Sequence, residues 1–125
     1  MQQTVTRWSL ADDMFQAMTD DLIRVGKLKW ARNISRATPH EHLLKGIDFR
    51  IDAIAKNPGG SLLEFPLLIH VESSFNGALE FCKHGAPGIH WLVVQPNIKP
   101  NELRNALYVV YMKEIKRLRP TQPSA

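Results

Sequence analysis

Along this chain the spacing of apolar residues changes period several times, and each change predicts a different element. Phe15, Met18, Leu22 and Val25 recur at helical spacing. Ser9 can cap that helix, Asp12 and Asp13 suit its positive N-terminal end, and Gly26 is a stop signal. From Leu44 to Lys56 the pattern turns to period two, with Ile47, Phe49 and Ile51 alternating with Asp48, Arg50 and Asp52. The turn sequence Asn57-Pro58-Gly59-Gly60 follows, and a second run from Leu62 to Glu72 completes an antiparallel hairpin. Within that run Pro66 argues against a central strand, unless it sits at a bulge or at the strand's start.

After Ser73-Ser74, the stretch Asn76 to His84 predicts a helix in which Phe75, Leu79 and Cys82 share a buried face. Ile89 to Gln95 is β-branched and aromatic, bounded by Gly and Pro, and predicts a buried strand. Asn101 to Leu118 predicts a final helix with Leu103, Leu107, Tyr111, Ile115 and Leu118 on one stripe. The mixed, basic segment Lys27 to His42, with Thr38-Pro39 near its end, predicts an irregular connection carrying a short strand around Lys29 to Ile34. The order is therefore α-β-β-β-α-β-α, an α/β (α+β) architecture with a central mixed sheet flanked by helices. Residues 1–119 are expected to form one domain and 120–125 a disordered tail.

Composition changes this picture little. A chain of 125 residues with 44% apolar content can bury one core unaided. The N-terminal stretch has no basic segment followed by an apolar run, and no run approaches the roughly 18 apolar residues of a membrane span, so a cytoplasmic protein is expected. The single cysteine, Cys82, excludes an internal disulfide and a cysteine zinc cluster. Charge changes it more. Net charge is +4, and cations gather at Lys27, Lys29, Arg32 and Arg36, beside Arg24, and again at Lys113, Lys116 and Arg117, beside Arg119. Such runs suit a polyanion as well as solvated helix faces.

The chemistry lies on the hairpin. Side chains alternate along a strand, so Asp48 and Asp52 share one face, as do His70 and Glu72. A loop centred on Gly59 sets Asp48 opposite His70, with Glu72 one step diagonal. Converging carboxylates raise a pKa or require a cation between them. Two arrangements answer that demand: a divalent ion such as Mg²⁺ (or Mn²⁺), or Arg50 bridging Asp48 to Asp52 or Glu72.

The segments KGIDFRID, FPLLIHVESSFNGALEF and GIHWLVVQP, spanning Gly46 to Gln95, resemble the PD-(D/E)XK nuclease-like superfamily. The resemblance implies a restriction-endonuclease-like fold and a metal-dependent endonuclease hydrolysing DNA. Asp48 matches the family's metal-binding aspartate, His70 stands where an acidic or glutamine ligand would stand, and Glu72 occupies the usual lysine position. That lysine positions or activates the attacking water, a role no carboxylate performs in the same way. In a second register Glu72 is the acidic ligand, paired with Asp48 on the metal, and Ser74 takes the lysine's place. Lys83, the only lysine of the following helix, is the candidate for a migrated lysine. An acidic residue shortly before the Asp48 strand, Glu41, or Asp20 or Asp21 of the first helix, could assist.

His40 and His42, flanking Glu41, lack the helical spacing of metalloprotease ligands and a third ligand, so no zinc site is predicted. Three functions remain open. The first is the nuclease, with Lys27, Lys29, Arg32, Arg36, Lys113, Lys116 and Arg117 gripping DNA phosphates, and with a homodimer supplying a fuller grip. The second is a catalytically inactive nuclease fold that binds nucleic acid or protein, which loss of the lysine supports. The third is a dimeric interaction protein using Trp8, Trp30 and Trp91.

Overall fold

A computed structural model describes residues 9–84 and 88–119, without the side chains of 43–45 and 82–84. Eight elements follow in order: α1 (Leu10–Arg24), β1 (Ala31–Arg36), α2 (Pro39–Lys45), β2 (Phe49–Lys56), β3 (Leu62–Glu72), α3 (Phe75–His84), β4 (Ile89–Val93) and α4 (Pro100–Leu118). The sheet order is β1-β2-β3-β4. The first three strands form an antiparallel meander, and β4 returns through α3 to lie parallel to β3. This is a mixed sheet flanked by helices, as the sequence pattern predicts.

Local chemistry explains most boundaries. Ser9 and Asp12 form a reciprocal capping box that satisfies two free backbone donors at the start of α1. At its other end Gly26 adopts φ +79°, which lets the chain reverse. The sequence reading takes Lys27 to His42 as irregular, yet it contains both β1 and α2. Thr38 caps α2, Pro39 sits in its first turn, and the Glu41 carboxylate returns to the Thr38 backbone. Consequently β2 starts at Phe49 and not near Leu44.

Pro66 is tolerated in β3 because β4 pairs only with Leu68 to Glu72, so the strand has a free side where the imide lies. Phe49, Ile51, Leu67 and Ile69 of the sheet meet Phe15 of α1 and Leu103 and Leu107 of α4, all fully buried. Burying each such side chain contributes about 1.5–3 kcal/mol. The expected buried face of α3 is not the observed one: Phe75 and Leu79 are exposed, and Ala78 is buried in their place. Val25 and Leu118, at the ends of their predicted stripes, are also exposed. Among the described residues no helix is long and apolar enough to cross a membrane.

Candidate functional site

The β2–β3 register pairs Phe49 with Ile69, which sets the preceding Asp48 against His70, with Glu72 two residues further along the same side of β3. The sequence-derived register therefore agrees with the observed one. Asp48 donates its amide to the Ile69 carbonyl at 2.8 Å. Its Oδ2 accepts the Val71 N–H at 2.6 Å, taking the place of a strand carbonyl where the chain has turned aside from α2. Its Oδ1 lies 2.7 Å from Nδ1 of His42, which α2 carries over the start of the strand.

His70 stands between the two acids. Its Nδ1 is 2.7 Å from the Gly46 carbonyl and 3.4 Å from Asp48 Oδ2, while its Nε2 is 2.6 Å from Glu72 Oε1. Both ring nitrogens thus face oxygens, and since a carbonyl only accepts, Nδ1 is the donor toward Gly46. Phe81 of α3 stacks on the imidazole, with ring centroids 3.9 Å apart. Two glycines permit this closeness. Gly46 ends α2 at φ +72°, and a Cβ there would meet the Phe81 ring at 2.9 Å. A Cβ on Gly77 would fall 2.4 Å from Glu72 Oε2.

Burial is the main influence on Asp48, which is 4% exposed, and it pushes the carboxyl above the ordinary range. The Val71 N–H opposes that rise, the Asp12 carboxylate adds to it, and the His70 and His42 rings oppose it. Asp12 is therefore more than a capping residue. It is buried, and its Oδ1 accepts no hydrogen bond.

Chemically, the cluster alternates acid and imidazole, so it can neutralise charge internally and pass a proton along a short relay. It is less suited to a hard divalent ion. Mg²⁺ needs free oxygen ligands, whereas Asp48 Oδ2 already accepts the Val71 N–H, Asp48 Oδ1 is closed in by the His42 ring and one Glu72 oxygen is held against His70. Among the described residues no three His, Cys, Asp or Glu side chains are arranged to hold a metal.

The other candidates scatter. Asp20 and Asp21 are exposed, and Asp21 pairs with Arg24. Glu41 caps α2. The Ser74 hydroxyl accepts the Gly77 N–H in the first turn of α3. The side chain of Lys83 lies outside the described residues, as does that of Cys82. Arg50 does not bridge Asp48. It lines an open groove of about 390 Å³ with Asp52, Arg32 and Glu64, in which Arg32 pairs with Glu64 at 2.9 Å.

Of the cations read as phosphate contacts, Lys27, Lys29, Lys113 and Lys116 are exposed. Arg36 is engaged by Asp13 and Gln16 of α1. Arg117 makes a two-pronged contact with Glu114 at 2.7 and 2.8 Å, and His90 meets the same carboxylate at 3.1 Å. Burial pushes the Glu114 carboxyl up, but the Arg117 and His90 hydrogen bonds and charges outweigh it and hold the group below the ordinary range.

Sequence reasoning weighed His42 only as a zinc ligand and missed its place beside Asp48 because it missed α2. The signal was present in Thr38-Pro39-His40-Glu41, a capping-box sequence with proline at the first helical position. The proximity of Asp12 to Asp48 had no local signal. No protein-family model, no curated protein and no solved structure matches this chain.

Proposed function

We propose that this chain is a restriction-endonuclease-like domain that binds nucleic acid without hydrolysing it. One observation carries the reading: His70 lies between Asp48 and Glu72, where the superfamily resemblance implies a catalytic cation. The imidazole occupies the space between the two carboxylates and engages Glu72 Oε1 directly, so it takes the position a bridging metal would need. The strand pairing is compatible with the fold implied by the resemblance, with Asp48 entering the second strand and His70-x-Glu72 ending the third. The exposed Lys27, Lys29, Lys113 and Lys116 support a polyanionic partner such as DNA.

A second reading, an active Mg²⁺- or Mn²⁺-dependent endonuclease, draws on a specific observation: Asp48, His70 and Glu72 do converge, with the unsatisfied Asp12 Oδ1 contributing to the same electrostatic environment. It requires His70 and His42 to leave the carboxylates free, and a migrated lysine such as Lys83.

The two readings separate in one set of measurements. Purified protein is titrated against labelled DNA by fluorescence anisotropy over a range of salt, then incubated with supercoiled, linear and branched DNA in Mg²⁺ or Mn²⁺. The expected result is binding that weakens with log-log slope of about −0.9 per duplex phosphate neutralised, with no cleavage. Metal-dependent cleavage abolished by Asp48→Ala would establish the second reading in its place. Absence of binding at low salt would reject both.

A further inference from the structure

A second concavity lies in the α1–α4 layer, away from the elements that build the histidine cluster. It is lined by the loop from Gly26 to Trp30 and by Arg104, Asn105 and Tyr108 of α4, and encloses about 460 Å³. That volume falls in the range of about 300–1,000 Å³ typical of ligand clefts. Three cations line it, Lys27, Lys29 and Arg104, and no carboxylate does. Among the described residues none of the three forms an ion pair. Tyr108 is 52% exposed at its edge. Trp30 has one face stacked on Tyr111, with centroids 4.4 Å apart, which fixes the aromatic wall.

The loop is preorganised. The Gly26 and Lys27 amides donate to the Ile23 and Leu22 carbonyls, and the Ala31 amide donates to Leu28. Leu28 itself is buried at 2% exposure, so its neighbours Lys27 and Lys29 are presented outward from an anchored backbone. Little backbone ordering entropy therefore remains to be lost on binding, and the cost falls on the lysine side chains.

We infer that this groove is an anchor for single-stranded nucleic acid, with a base stacked on Tyr108 and the adjoining phosphates on Lys27, Lys29 and Arg104. The inference rests on the nucleic-acid reading above and names the strand class. Unpaired cations around a concave, aromatic-edged surface match a strand whose bases can splay, because every base offers a face to stack and the phosphates follow on either side. A duplex keeps its bases stacked inside and cannot offer both to one groove.

The test is fluorescence anisotropy of oligo-dT, oligo-U and a mixed-sequence duplex with the wild type, Tyr108→Ala, Tyr108→Phe, Arg104→Ala and a Lys27→Ala/Lys29→Ala double variant. Tyr108, Lys27 and Lys29 are exposed and Arg104 is half-buried, and circular dichroism checks that each variant is folded. The expected result is loss of single-strand affinity by at least about fivefold in Tyr108→Ala, the low end for one base–aromatic stack, with recovery in Tyr108→Phe. Arg104→Ala should also flatten the salt dependence by about one phosphate. Preference for oligo-dT or oligo-U tells DNA from RNA, and either supports the anchor. Wild-type binding that the four variants leave unchanged overturns this groove while leaving the broader reading standing. So does duplex binding that depends on Tyr108 as strongly as single-strand binding. No binding of any oligonucleotide by the wild type removes the broader reading and the groove together.

Discussion

His70→Ala is the most informative single change. It removes a hydrogen bond to a carboxylate at 2.6 Å, about 1.5–3 kcal/mol, and one to the Gly46 carbonyl at 2.7 Å, about 1 kcal/mol. It also removes a ring stack on Phe81 of about 0.5–1.5 kcal/mol. These contributions are not additive, and Glu72 is partly exposed and can turn to water. The expected loss is therefore about 2–4 kcal/mol, against a typical total stability of about 5–15 kcal/mol. Urea unfolding followed by circular dichroism measures it through the shift in midpoint at constant slope. The same scan with millimolar Mg²⁺ or Mn²⁺ tests the cause. With His70 gone, Asp48 and Glu72 lose the ring that separates them, so a divalent ion should stabilise the variant and leave the wild type unmoved. A loss below about 1 kcal/mol, or metal stabilisation of the wild type that disappears in the variant, would refute the idea that the imidazole stands in for a cation.

The remaining predictions concern the same brace and one distant pair. Burial raises the Asp48 carboxyl, so its protonated form is favoured on folding; that contribution is full below the unfolded value and lost as pH rises through the folded one. Asp48→Asn should thus gain on the wild type between acidic and neutral pH, and a pH-independent difference in urea stability would contradict this. Glu114 runs the opposite way: its lowered pKa gives stability present above the ordinary carboxylate range and lost in acid. Glu114→Gln should cost about 1–3 kcal/mol at neutral pH, with the deficit shrinking as pH falls in the same denaturation series. Gly46→Ala forces a left-handed residue and drives a Cβ to 2.9 Å from Phe81, so thermal unfolding should show a loss of about 2–3 kcal/mol.

The hairpin was legible because two independent signals agreed. Alternation of Ile47, Phe49 and Ile51 with charged residues fixed the faces, and the turn at Asn57 to Gly60 fixed the pairing. A one-residue slip would have reversed every side chain, so the register had a single solution. The bounds of β3 agree with the sequence reading for the same reason. What escaped was set by packing between elements far apart in the chain. Nothing near Asp12 signals that its carboxylate influences Asp48, and nothing near Phe81 signals an imidazole stacked on it. Phe75 and Leu79 look like a core stripe, but α3 meets β3 and β4 through Ala78 and Phe81, because the small residue permits the closer approach. Tyr108 lies off the apolar stripe of α4 and reads as ordinary surface until the loop after α1 is seen beside it.

The two sites make separable demands on the molecule. His70 joins β3 to the end of α2 through Gly46 and to α3 through Phe81, so it braces one layer of the fold. Tyr108, Lys27, Lys29 and Arg104 lie in the other layer; the first three are exposed, with little burial to lose, and Arg104 is half-buried. Energetic effects at sites with no shared partners usually add. His70→Ala should therefore lower the urea midpoint yet bind an oligonucleotide with wild-type affinity under conditions where it remains folded. Tyr108→Ala should do the reverse, weakening binding at an unchanged midpoint. The double variant should show both defects at full size, within about 0.5 kcal/mol of their sum. If His70→Ala also weakens strand binding while folded, the nucleic acid must reach the histidine cluster or sense it through the sheet, and the brace could no longer be treated as purely structural.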